Sequence, residues 1–216
     1  MADYNGTDED DLIDASELDS DIGNIYPGKG NDTVTNATSK HTIISGPGED
    51  NISGEKFGYA LWDATQAVTI NLKENWSEDG FGTRDTVSGI ETIHGSRFGD
   101  TIYGSENYER YFVNGGNNTI DGDRGYDRAS YAPGRGPSTD FEITYIDGSA
   151  HVKGQNTLDI LTNISTIEFM DDSKIFSVDV ENGSIFNGAI FYGTENYENF
   201  FIDGGNNIVY AGGGDD

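Results

Sequence analysis

Three aspartates close glycine-rich turns. Asp32 follows Gly28-Lys29-Gly30-Asn31, Asp50 follows Gly46-Pro47-Gly48-Glu49, and Asp127 follows Gly122-Asp123-Arg124-Gly125-Tyr126. Each acid is followed two positions later by an apolar residue: Val34, Ile52 and Ala129. Glycines allow positive φ and close backbone approach, so such turns can aim main-chain carbonyls inward while the aspartate supplies charge. That donor set suits a hard cation. Calcium accepts about 6–8 oxygen ligands in flexible geometry, carbonyls included. The chain has no cysteine, and its three histidines show no ligand spacing, so zinc is disfavoured. The calcium ligands expected from the pattern are Gly28, Gly30, Asp32, Gly46, Gly48, Asp50, Asp100, Asn118, Gly122, Gly125, Asp127 and Asp11.

The elements that must position these ligands follow a nine-residue period. Apolar residues recur at Ile25, Val34, Ile43, Ile52, Leu61 and Ile70, then at Ile93, Ile102, Tyr111, Ile120 and Ala129, and again at Phe191, Phe200 and Val209. So short a period predicts a stacked solenoid. Each nonapeptide divides into a turn and a strand of about three residues, the middle side chain facing inward. One nonapeptide makes half a coil. Residues 18 apart, such as Asp32 with Asp50 or Asp100 with Asn118, then stack on one edge, roughly 4.8 Å apart. Two carboxylates that close repel unless a cation lies between them. Asn118 to Asp127 is nine residues, and Asp11 to Asp32 is 21. Three residues inserted near Glu17–Asp21 are therefore expected to spoil the stacking of Asp11. On the other edge of the first block, Gly23, His41 and Tyr59 fall at the aspartate position, which predicts a bare edge. In the second block that edge carries Glu91, Glu109 and Asp127, but the turn before Glu109 lacks the glycines.

Five segments follow. Residues 1–56 form a first repeat block, 57–92 an inter-block strand segment and 93–130 a second block. Residues 131–181 form a hairpin-containing segment, and 182–216 open a third block. In the first interruption Ala67–Leu72 alternates like a strand, Gly80-Phe81-Gly82 is a turn, and Thr86–Ile93 reads as a returning strand. In the second, Asp147-Gly148 between two alternating runs predicts a β-hairpin. Strands are also expected over 164–169 and 175–180. Tyr103–Asn118 resembles Tyr192–Asn207, so a unit of roughly 90 residues is itself repeated. The chain ends Gly212-Gly213-Gly214-Asp215-Asp216, a repeat stopped at its aspartate, and a longer array is expected. No long helix is expected, because glycine and β-branched residues are too frequent.

Composition narrows the function classes. Net charge is −27, from 39 acidic and 12 basic residues, and only 34% of residues are hydrophobic. Self-repulsion on that scale opposes a compact state, and bound divalent cations would relieve it. A nucleic-acid partner is excluded by repulsion from the phosphates. Membrane insertion is excluded because no long apolar run exists. Residues 1–20 are acidic, so no amino-terminal secretory signal is expected. The sequence holds neither a His-Glu-x-x-His pair nor a Gly-x-Ser-x-Gly elbow, and no catalytic residue is assigned. Trp62, Trp76, Tyr108, Tyr111, Tyr197 and Phe201 are read as caps of the solenoid, with a carbohydrate-stacking surface as the alternative.

On these residues the chain resembles the RTX (repeats-in-toxin) family of calcium-binding nonapeptide proteins, with consensus Gly-Gly-x-Gly-x-Asp-x-apolar-x. Residues 85–96 and 157–164 resemble linkers between RTX blocks, and the resemblance covers nearly the whole chain. It implies an all-β fold: right-handed parallel β-roll blocks, interrupted by strand and hairpin insertions, that fold on meeting calcium outside the cell. It also implies export by a type I route of Gram-negative bacteria, with a carboxyl-terminal signal. Asn118 and Asn207 depart from the motif aspartate, and no proline follows an aspartate, so calcium-triggered self-cleavage is not expected. The function expected is a calcium-binding module of a larger secreted protein, acting as folding switch, scaffold and secretion aid, and not an enzyme in itself. The alternatives are a polysaccharide-modifying β-helix enzyme and an adhesin segment binding extracellular glycans or cell surfaces.

Overall fold

The computed structural model describes residues 1–179 and three short strands beyond them, Ser184–Ile185, Ile190–Tyr192 and Ile208–Tyr210. Most of the predicted third block lies outside the described residues. Ile190–Tyr192 and Ile208–Tyr210 pair in parallel, with Phe191 opposite Val209.

Strands stack along two tracks. Track one begins with β2 (Leu12–Asp14), β4 (Thr33–Thr38) and the first half of β6 (Asn51–Ala60), all parallel. Track two begins with β1 (Ala2–Thr7), β3 (Ile22–Gly28), β5 (Thr42–Ile43) and the second half of β6. The chain alternates between tracks, so each coil contributes one strand to each. The apolar residues therefore form two facing columns, as the period predicts. Ile13, Val34 and Ile52 stack in track one, and Ile25, Ile43 and Tyr59 in track two. All are buried to 3% exposure or less.

The columns depart from the nine-residue clock on both tracks after Ile52: on track one Val87, not Ile70, lies opposite Ile52. Leu61 is the expected apolar residue after Ile52, but Tyr59 lies opposite Ile43, and Leu61 is buried just beyond it. The cause on track two is β6 itself. It crosses from track one to track two as a single strand with a register shift between Ser53 and Phe57, so no turn is spent.

The interruptions are built into the same sheet. β9 (Arg84–His94) repeats the crossing of β6 and pairs with it in parallel along both tracks. β8 (Trp76–Glu78) then lies antiparallel to β9, and β7 (Thr69–Asn71) antiparallel to β8. These two reversals carry track one into β10 (Thr101–Tyr103) and β12 (Thr119–Asp121), with Ile70, Ile102 and Ile120 in line. Track two continues through β11 (Arg110–Val113) and β13 (Arg128–Tyr131). One turn of 3-10 helix, Ser138–Asp140, precedes the predicted hairpin of β14 (Glu142–Ile146) and β15 (Ser149–Lys153). Its loop is Asp147-Gly148, with φ of 50° and 85°, as a primed two-residue turn requires. β15 pairs antiparallel with β16 (Leu158–Thr162), which caps track one under β12. β17 (Thr166–Phe169) caps track two under β13 and pairs antiparallel with β18 (Lys174–Asp179).

The columns carry the stability of the roll. Ile52→Ala should cost about 2–5 kcal/mol, whereas Leu12→Ala, at an 82% exposed position, should cost no more than about 0.5 kcal/mol. Urea unfolding of the two variants checks this, and equal losses would contradict the column.

Candidate metal centre

Each acid of the repeat sits two residues before an inward apolar residue. It therefore lies on the same side of the pleat, and its carboxylate turns into the roll. Along track one these acids form a ladder. Asp32 Oδ1 accepts the backbone N–H of Asp11 at 2.8 Å, Asp50 Oδ1 that of Asp32 at 2.8 Å, and Asp85 Oδ1 that of Asp50 at 3.1 Å. After the reversals the ladder resumes. Asp100 Oδ1 accepts from Val68 at 3.1 Å, Asn118 Oδ1 from Asp100 at 3.0 Å, and Asp159 Oδ1 from Asn118 at 2.9 Å. On the opposite edge, Asp127 Oδ1 accepts from Glu109 at 2.7 Å. The stacking of Asp11 is not spoiled by the insertion: the extra residues leave through the 15–21 connection, and Ile13 still pairs with Val34.

The second oxygens divide the acids into two groups. Those of Asp11, Asp100 and Glu109 are met within their own turns. Asp11 Oδ2 accepts from Thr7 N–H and Oγ1 at 2.7 and 2.9 Å, and Asp100 Oδ2 from Ser96 N–H at 2.7 Å, while Ser96 Oγ donates to Asp100 Oδ1 at 2.5 Å. Glu109 accepts from the backbone and hydroxyl of Ser105. Asp85 and Asp159 are met across the core, by the hydroxyls of Tyr59 at 2.5 Å and Tyr131 at 2.9 Å. Asn118 is neutral, and its amide donates to Asp159 and to the Gly115 carbonyl. In contrast, Oδ2 of Asp32, of Asp50 and of Asp127 is buried with no hydrogen-bond partner. These residues are at most 2% exposed. Leaving such an oxygen unmet is costly.

The unmet oxygens belong to three turns that each carry two glycines. A Cβ on Gly48 would collide with the carbonyl oxygen of Gly30 in the coil before, and one on Gly122 would lie 2.5 Å from Asp127 Oδ2. Glycine thus keeps space open beside main-chain oxygen and an unpaired carboxylate oxygen. The donor chemistry is all oxygen, which fits calcium. Gly28, Gly30, Gly46 and Gly48 would offer carbonyls, with Asp32 and Asp50 supplying charge; Gly122, Gly125 and Asp127 repeat the arrangement on the other edge. Among the described residues no group of three or more His, Cys, Asp or Glu is gathered around one point. Two carboxylates with carbonyls form a set of a different kind.

Gly23 and His41 occupy the aspartate position of track two in the first coils. The third residue there is Phe57 rather than Tyr59, because of the crossing in β6. His41 is buried, its Nδ1 accepting from Thr38 N–H at 3.0 Å. Of the predicted cap aromatics, Tyr111 is buried, Trp62 meets His94 edge-on, Arg84 lies 4.0 Å over Trp76, and Trp62 and Tyr108 are exposed. Tyr197 and Phe201 lie outside the described residues. Asp85, Asp159 and the tyrosine contacts escaped the sequence reading, although Asp85-Thr86-Val87 and Asp159-Ile160-Leu161 keep the repeat's acid-x-apolar order.

No family model matches this chain, and no curated protein matches it.

Burial raises the pKa of the unmet acids. It pushes Asp50 up to about 8, with the charges of Asp85, Asp32 and Asp79 adding to the effect. It pushes Asp127 up to about 7, with Glu109 and Asp121 adding, and it raises Asp32. The folded chain without cation therefore holds more protons than the unfolded chain from the ordinary carboxylate range up to about 8. Its stability is greatest at the acid end and falls as pH rises through that window. In EDTA the thermal midpoint should drop between pH ~5 and ~8.5. In saturating calcium the drop should vanish or reverse, because cation replaces proton. Circular dichroism melts check both series, and a midpoint in EDTA that rises with pH would contradict the assignment.

Proposed function

We propose that this chain is a calcium-binding β-roll module that serves as folding switch and scaffold in a larger secreted protein. The observation that carries the reading is the set of three buried, unpaired oxygens on Asp32, Asp50 and Asp127, each in a glycine-rich turn. A chain at −27 without cation repels itself, which weakens the closed roll and favours a transportable state. Outside the cell, calcium at the turns neutralises the ladder and lets the coils close. Extracellular calcium modules bind at about 10⁻⁴–10⁻³ M, and one site filled at about 100 times its dissociation constant adds about 2.7 kcal/mol. A few such sites decide whether a thin solenoid is folded. The resemblance to RTX repeats supports the same reading and suggests the type I export route. Calcium is the partner this reading requires; a glycan or cell-surface ligand would be engaged through the larger protein.

Asp32→Asn and Asp50→Asn keep the Oδ1 acceptor and remove the charge. Each should weaken calcium binding by about tenfold or more, which corresponds to about 1.4 kcal/mol or more, with little change in the fold at saturating calcium. Isothermal calorimetry reads this directly. Unchanged titrations in both variants would overturn the proposal.

A further inference from the structure

The ladder positions are equivalent in backbone geometry, yet their second oxygens are not. At Asp85, Glu109 and Asp159 a tyrosine hydroxyl reaches the carboxylate from inside the roll. Tyr59 donates to Asp85 Oδ2 at 2.5 Å, Tyr111 to Glu109 Oε2 at 3.1 Å, and Tyr131 to Asp159 Oδ2 at 2.9 Å. All three tyrosines come from track two and are fully buried; Tyr59 and Tyr111 hold the column position otherwise taken by an aliphatic residue or alanine, and Tyr131 lies between Val113 and Phe169. Tyr59 and Tyr131 span the whole core to reach the opposite track. Where the facing position holds an aliphatic residue, as Ile25 and Ile43 do beside the turns of Asp32 and Asp50, the oxygen is unmet. Asp127, beneath Ala129 in the same strand run, is unmet as well.

We infer that the hydroxyls of Tyr59 and Tyr131 replace the cation at Asp85 and Asp159, and so, with Glu109 met by Ser105 in its own turn, confine the cation sites to the turns ending in Asp32, Asp50 and Asp127. The inference rests on the calcium reading above and adds which acids of the ladder do not take part. A buried carboxylate needs a positive partner at its second oxygen. A phenol can supply it as a hydrogen bond, without a glycine cradle. The Asp85 and Asp159 caps coincide with places where the parallel stack is interrupted by antiparallel neighbours, β8 beside β9 and β15 beside β16. At Asp159, Arg135 lies 3.4 Å away and adds positive charge to the same oxygen. The capped coils then hold their ladder without calcium, and the glycine turns do not.

The test compares Asp85→Asn with Asp50→Asn in the full chain, titrated with calcium chloride by calorimetry. The expected result is a loss of one site, or at least a tenfold weaker one, for Asp50→Asn, and a titration within twofold of wild type for Asp85→Asn. Weakening of Asp85→Asn to the same degree as Asp50→Asn overturns the inference and leaves the calcium reading standing. No change in either variant overturns the calcium reading, and this inference with it. Tyr59→Phe gives a second readout. It keeps the ring and frees Asp85 Oδ2, so it should melt below wild type in EDTA and recover most of the difference in calcium. An equal deficit in both media would overturn the replacement of cation by hydroxyl.

Discussion

The roll depends on keeping a file of carboxylates out of water. Each acid shares the inward side of its strand with an apolar residue, so the repeat that builds the core also buries the charge. Stacked one sheet spacing apart, roughly 4.8 Å, two such charges repel by about 3–4 kcal/mol at an effective dielectric of about 20. Backbone N–H groups of the preceding coil meet one oxygen of Asp32, Asp50, Asp85, Asp100, Asp127 and Asp159. The other oxygen determines whether a coil can close. Groups within the turn meet it at Asp11 and Asp100, tyrosines across the core at Asp85 and Asp159, and nothing in the chain at Asp32, Asp50 and Asp127.

This division explains why the array tolerates interruption. Where the repeat is broken, the sheet continues through antiparallel strands, and the ladder is closed by a side chain. The crossings in β6 and β9 tie the two tracks together in the middle of the molecule. The glycine turns on either side keep their open cradles. A chain with few apolar residues and a charge of −27 thus has coils held by its own side chains, and glycine turns whose closure is left to a cation.

Much of this order is legible in the sequence because the period is short and the turns carry their own chemistry. The stacking of Val34 on Ile52 and of Ile102 on Ile120 follows from counting, 18 residues each, whereas Ile13 stacks 21 residues before Val34 and Ile70 stacks 32 before Ile102. The Asp147-Gly148 hairpin follows from turn residues alone. Counting fails where the chain changes track without a turn, which places Tyr59 where Leu61 was expected. It also misses Asp85 and Asp159, which follow their partners by 35 and 41 residues rather than 18. The tyrosine caps were illegible for a different reason: a Tyr at an apolar position reads as core, and only its distance across the roll shows what its hydroxyl meets. β8 was missed because three residues, Trp76-Ser77-Glu78, carry no periodic signal.

The central claim is that the unmet oxygens make closure of the roll depend on calcium. The most direct measurement is far-UV circular dichroism of the whole chain, stripped with EDTA and titrated with calcium, with magnesium in a parallel series. The account predicts a cooperative gain of β-structure with calcium and little with magnesium, which demands a more rigid octahedral shell and gives up its waters reluctantly. A chain fully β-structured in EDTA and indifferent to calcium would contradict it.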